Sequence, residues 1–181
     1  MTINDMISHI LVSEGGFVNR VEDSGGATNF GITAATLGRA RKLGRDATAD
    51  EVRALTEPEA RAIYFKDYYT DPGFGQLASE KVQLVLFDAQ VQHPGGMAVK
   101  FLQRALGVPD DGVLGPQTLV TARGWDGFRL ALHTYAERLE FYGRMVSKNL
   151  TDRDKDGIPD NAEFNAGHMQ RMSDLLKALA T

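Results

Sequence analysis

Apolar residues return at helical spacing along most of this chain, and glycine-rich polar stretches cut the pattern into segments. Residues 3–13, with the apolar stretch Met6 to Val12, predict a helix opened by Asn4 or Asp5 and ended by the Gly15-Gly16 pair. Residues 15–32 hold five glycines and little helical periodicity, which predicts a short β-hairpin or an irregular loop. Thr33 starts a helix of small and apolar residues that stops at Gly44. Two box-like helix starts follow, Thr48 with Glu51 and Thr56 with Glu59, the second carrying Pro58 in its first turn. That second helix runs from Ala60 through Phe65 into an aromatic cluster at Tyr68 and Tyr69.

Asp71-Pro72-Gly73 predicts a turn and the break between two lobes, residues 1–78 and 79–181. Ser79 caps an apolar helix from Val82 to Val91, which ends at His93-Pro94-Gly95-Gly96. A helix from Met97 to Leu106 stops at Gly107, and Asp110 to Pro116 predicts a tight double turn with a helix starting near Pro116. Phe128 to Val146 predicts a long helix, and a last one spans roughly Asn161 to Ala178. The expected fold is mainly α, two helical lobes with a small β-hairpin insertion after the first helix.

Composition narrows the classes. The length of 181 residues and the apolar share suit a compact chain that folds unaided. With no cysteine, disulfides and thiolate chemistry are excluded. A net charge of −4 without any basic run argues against nucleic acid as a partner. Met1 to Asp5 lacks a basic n-region, and Asp5, His9 and Glu14 interrupt the apolar stretch. Neither a cleavable signal nor a membrane span is expected, so no stable membrane insertion. A monomer is expected.

The chemistry starts at Glu14. An apolar stretch runs directly into this carboxylate, which is followed by Gly15-Gly16-Phe17, by Asp23 with eight residues between, and by Gly25 to Thr33. A glutamate at a helix C-terminus sits by the negative end of the dipole, which disfavours its ionised form. Burial against Phe17 or Phe30 would act the same way. Both effects suit a general acid for glycosidic cleavage, with a second polar group to handle water or charge. Taken alone, such a glutamate would read as a solvated helix end; the accompanying Asp23 and Gly-Gly-Ala-Thr-Asn-Phe-Gly-Ile-Thr string tips the balance.

Together these residues resemble the signature of glycoside hydrolase family 108, the lysozyme-like N-acetylmuramidases of phage endolysins and related bacterial enzymes. The order Glu14, Asp23, Thr28 is also similar to the Glu-Asp-Thr arrangement of phage-type lysozymes, with one residue fewer before the threonine. The resemblance implies a lysozyme-like α+β fold and a peptidoglycan substrate. The bond cleaved would be the β-1,4 link between N-acetylmuramic acid and N-acetylglucosamine. It implies Glu14 as the acid, Asp23 as a group that stabilises positive charge or orients water, and Thr28 as a residue that helps hold that water. It also implies a cytoplasmic product that waits for a separate, holin-type release before acting on the wall.

The downstream half extends the likeness. Phe87 to Val91 before Gly95-Gly96, Leu102 to Gly107, and Asp111-Gly112-Val113-Leu114-Gly115-Pro116-Gln117-Thr118-Leu119 resemble the family's C-terminal region, often labelled a predicted peptidoglycan-binding domain. Residue by residue its content is mostly structural: glycines for tight turns, Pro116 at a helix start, Asp111 as a turn or cap residue. Where the family usually has an asparagine shortly before the glycine, this chain reads Gln92-His93-Pro94. His93 is a candidate for contact with sugar or peptide, against the plainer reading of a favourable charge at a helix end. Asn29, Phe30, Tyr68 and Tyr69 are the other candidate substrate-binding residues. Tyr64 and Phe65 are expected in the core, and Trp125 as a packing anchor.

A separate signal is Asp152-Arg153-Asp154-Lys155-Asp156-Gly157-Ile158-Pro159-Asp160-Asn161-Ala162-Glu163, which matches the twelve-residue EF-hand loop at every ligand position. Asp152, Asp154, Asp156, the Ile158 carbonyl, Asp160 and Glu163 are the candidate Ca²⁺ ligands. Five carboxylates in twelve residues repel one another without a cation; the plainer alternative is an acidic turn that caps the last helix. Pro159 has no N–H to donate to a partner loop, so a single unpaired site is expected, with a structural role. Cleavage by paired carboxyls calls for no Lewis acid, so no cofactor is expected for catalysis. Three functions therefore compete: a muramidase with structural Ca²⁺, a non-catalytic cell-wall-binding protein, and a calcium-responsive interaction protein.

Overall fold

The computed structural model describes residues 1–14, 16–18, 26–93, 95–148, 172–177 and 179. Described residues are mainly helical, with one small antiparallel hairpin after the first helix. The chain divides into two compact units, Thr2–Pro72 and, for the bulk of the other, Gly73–Thr181.

In the first unit, α1 (Ile3–Glu14) is opened by Thr2. The Thr2 hydroxyl accepts from the Asp5 N–H at 3.2 Å, and the Asp5 carboxylate accepts from the Thr2 N–H at 2.8 Å. The cap is thus a reciprocal box two or three residues earlier than Asn4 or Asp5 would place it, and hydrogen bonds to the Asp5 carboxylate from the Thr2 backbone first, and from its side chain, hold that carboxyl below its ordinary pKa. β1 (Thr28–Asn29) and β2 (Ile32–Thr33) pair in the register Thr28 to Thr33 and Asn29 to Ile32, leaving Phe30 and Gly31 as the turn. Both turn residues have positive φ, 52° and 73°, as a two-residue hairpin loop matched to strand twist demands.

Thr33 then serves twice, closing β2 and capping α2 (Ala34–Ala40) by accepting from the Thr36 N–H. Here the structure corrects the expected helix end: α2 stops at Ala40, and Lys42 and Gly44 turn the chain with positive φ. Gly38 permits the return, since a Cβ there would meet the Arg45 carbonyl oxygen at 2.2 Å. α3 (Ala49–Arg53) begins with the expected Thr48–Glu51 box. α4 (Glu57–Phe65) does not begin with one, because Thr56 makes no side-chain cap and Glu59 is taken by Arg41 at 2.7 and 2.8 Å. A charge-assisted bidentate pair outcompetes the local bond that the spacing suggested. The helix continues as a π-helical turn over Lys66–Thr70. Ile7, Ile10, Ile32, Leu37, Val52, Leu55, Ile63 and Tyr64 are buried around this arrangement.

The second unit is built on α5 (Glu80–Gln92), capped by Ser79 and buried over every residue from Val82 to Ala89. α6 (Met97–Leu106) ends in left-handed Gly107, whose N–H bonds the Arg104 carbonyl while that of Val108 bonds Gln103, closing the last turn. α7 (Pro116–Arg123) and α8 (Gly127–Lys148) complete the described core, and α8 packs on α5 and α6. Arg138 of α8 is wholly buried and bonds Asp88 of α5 at 2.6 Å, with Gln92 as a second acceptor. Residues 172–177 are helical, with Met172 and Leu175 buried, and Lys81 donates to the Leu179 carbonyl. Residues 149–171, and so the whole of the predicted calcium loop, lie outside the described residues.

Candidate active site

Glu14 is the last residue of α1, so its backbone stands where the helix presents carbonyls without intrahelical partners. Four residues on, Val18 pairs with Thr28 through two backbone hydrogen bonds of 2.8 Å. Four residues of chain span at most about 14 Å, so Thr28 is tethered close to the end of α1. The same pair holds both ends of the stretch that carries Asp23, which itself lies outside the described residues.

The hairpin is fastened from two further sides. Asn29 is buried, and its side-chain Nδ2 donates to the Val52 carbonyl at 3.1 Å and to those of Arg53 and Leu55 at 3.4 Å. Its amide nitrogen therefore closes the C-terminal end of α3. Tyr64 donates its hydroxyl to the Phe30 carbonyl at 3.0 Å, which ties the turn to α4. Phe30 is half-buried and holds φ 52°, a conformation costly for a residue with a Cβ.

Beyond Tyr64 the aromatic residues form two rows. Tyr64 lies 5.4 Å from Tyr68 and Phe65 5.3 Å from Tyr69, ring centre to ring centre. Tyr64 is buried as expected, but Phe65 is 43% exposed, which corrects its assignment to the core. The helical turn puts it about 100° from Tyr64, and only one of the two can face inward. Tyr68 and Tyr69 are both half-buried. Sequence reasoning also missed Arg53, whose guanidinium stands 4.6 Å over the ring of Phe17, just after the Glu-Gly-Gly segment. No local pattern marks that contact.

His93 belongs to the second unit. Its Nε2 hydrogen-bonds the Tyr142 hydroxyl at 2.7 Å, and its ring is edge-on to Phe101 and Phe141. The Tyr142 hydroxyl also donates to Gln92 at 2.9 Å, which links His93 to the Asp88–Arg138 pair. In the Asp111 to Thr118 segment, Gln103 is the organiser: its Nε2 donates to Asp111, the Val113 carbonyl and Thr118, and its Oε1 accepts from Gly112. The bond from Gln103, and one from the Val113 N–H, hold the Asp111 carboxyl below its ordinary pKa. Trp125 is half-buried with its ring edge-on to His133. Among the described residues no three His, Cys, Asp or Glu side chains are grouped to hold a metal.

Residues 7–94 match the family described as glycosyl hydrolase 108. No curated protein matches the chain. Among solved structures it is similar to SagA of Brucella abortus, at 30% identity over 97% of this chain and 92% of that one, with a TM-score of 0.77. The matched stretch begins inside α1, takes in Glu14, the hairpin and the aromatic rows, and ends after α5; the chain belongs to the glycosyl hydrolase 108 family, and it is a glycoside hydrolase of the peptidoglycan-degrading kind.

Proposed function

We propose that the protein is an N-acetylmuramidase that cleaves the β-1,4 bond between N-acetylmuramic acid and N-acetylglucosamine. Glu14 is the general acid and gives its proton to the leaving glycosidic oxygen. The observation that carries this reading is the position of Glu14 at the C-terminal end of α1, tethered through Val18 to Thr28. General acid catalysis needs a protonated carboxyl, and the C-terminal end of a helix is a place that disfavours negative charge. Asp23 acts across the bond on developing positive charge or on water, and Thr28 helps hold that water. The family membership supports hydrolysis, and the order Glu14, Asp23, Thr28 supports this division of roles.

Replacing Glu14 by Gln removes the proton and keeps the shape. The variant is expected to fold normally and to lose all lysis of purified peptidoglycan. Mass spectrometry of the wild-type digest should find reducible N-acetylmuramic acid ends. Ends of another kind, or lysis retained by the variant, would overturn the assignment.

In the same proposal Asp152, Asp154, Asp156, the Ile158 carbonyl, Asp160 and Glu163 bind one Ca²⁺. The support is the donor set: hard oxygen ligands in the order that a twelve-residue calcium loop uses. The ion serves stability, while the carboxyls serve chemistry. As the endolysin resemblance implies, the protein would reach the wall from the producing cell's cytoplasm by a separate release route.

A further inference from the structure

The outer aromatic row of α4 and its π-helical turn reaches the surface at Phe65. Phe65 is 43% exposed, and its ring lies 5.3 Å from that of Tyr69, tilted by 47°. The inner row, Tyr64 and Tyr68, is fixed from below by the Tyr64 hydroxyl on the Phe30 carbonyl. The outer row continues a line of residues four apart, Glu57, Arg61, Phe65 and Tyr69, in which Glu57 and Arg61 pair at 2.9 Å. Arg61 also donates to the Ser8 hydroxyl of α1 at 3.0 Å. Phe65 thus sits about one helical turn from a residue bonded to the helix that carries Glu14, whose Cα is about 9 Å farther along α1 from Ser8.

Such a pair has a bland explanation, since aromatic residues four apart support a helix. That explanation does not require Phe65 to be open to solvent beside the charged Lys66 and Asp71. A π-helical turn placed directly after the first ring is a second mark, as these turns gather at functional sites. The size of the patch decides the occupant. Two rings offer a few hundred Å² at most, below the roughly 800 Å² per partner of a stable protein interface. A sugar ring has a flat C–H face that fits one aromatic ring and a rim of hydroxyls that fits the charged surround.

We infer that Phe65 and Tyr69 form a stacking platform for the glycan strand of peptidoglycan, a binding subsite on the same unit as Glu14. The inference rests on the muramidase reading, and its test separates the two. Binding is read by pelleting with insoluble purified peptidoglycan, with Glu14→Gln in every variant so that cleavage does not blur the measurement. Phe65→Ala and Tyr69→Ala are each expected to weaken binding about tenfold, the effect of one good ring contact. Phe65→Trp and Tyr69→Phe should retain it.

With Glu14 restored, the alanine variants should show a raised KM with kcat held, the mark of binding lost equally in ground and transition states. Melting temperature should not move, and Phe65→Gln, which keeps bulk without a ring, should behave like Phe65→Ala. Variants that cleave and bind as the parent does would overturn the platform while leaving the muramidase intact. Loss of binding only in step with a lowered melting temperature would overturn it too. A wild-type protein that leaves no muramic acid ends would fail the parent reading instead.

Discussion

Phe30 carries two duties at one position. Its backbone supplies the first positive φ of the hairpin turn and accepts the Tyr64 hydroxyl, while its ring is a proposed substrate contact. Asn followed by Gly is the favoured pair for such a turn, so Phe30→Asn relieves strain of about 1 kcal/mol. That relief offsets the loss of a half-buried ring. The melting temperature should therefore hold while KM on peptidoglycan rises; a lower melting temperature with KM unchanged would make the ring structural. Asn29 shows why single residues are hard to read from sequence. Its amide nitrogen donates to carbonyls more than twenty residues away, which no local pattern marks. The end of α1 at Glu14 was legible for the opposite reason, because an apolar run and a glycine pair are local features.

At the scale of elements, what was legible followed local chemistry. Met97–Leu106 has an apolar face and a closing Gly107, and the helix has those bounds. Thr48 and Glu51 form their box, while the similar Thr56 and Glu59 do not, since Arg41 reaches Glu59 from α2's end. The π-helical turn over Lys66–Thr70 has no sequence signal of its own; it is a register change that packing decides. The α3 box also carries a pH dependence. Bonds from Arg45 first, and from the Thr48 backbone, lower the Glu51 pKa from 4.5 to about 2. A depressed carboxylate stabilises the fold above its unfolded value and loses that contribution as pH falls through the folded one. Glu51→Gln should therefore lower the melting temperature at neutral pH, and the difference should shrink below pH 4.5 and vanish near pH 2. A difference that grew on acidification would contradict this bond as the cause.

For the molecule as a whole, the family match and the solved relative cover different extents. The match ends at residue 94, whereas the likeness to the Brucella abortus protein runs over 97% of the chain. The helices after α5 therefore belong to the same fold. The proposed calcium site would act on this whole rather than on the chemistry. Saturating Ca²⁺ at a hundredfold over its dissociation constant should add about 2.7 kcal/mol, read as a higher melting temperature that a chelator reverses. Unchanged melting would remove the site, and dye-binding apolar surface on adding Ca²⁺ would make it a switch. The Asp88–Arg138 pair bears on how the second unit comes apart. Separating α5 from α8 strands a guanidinium and a carboxylate in a dry seam until water floods all of it, at a cost of about 3–5 kcal/mol for either partner left alone. Partial openings along that seam are therefore scarce, and its amide protons should exchange with deuterium in one late, concerted step. Graded loss of protection along Val85 to Ala89 would show instead that the seam frays.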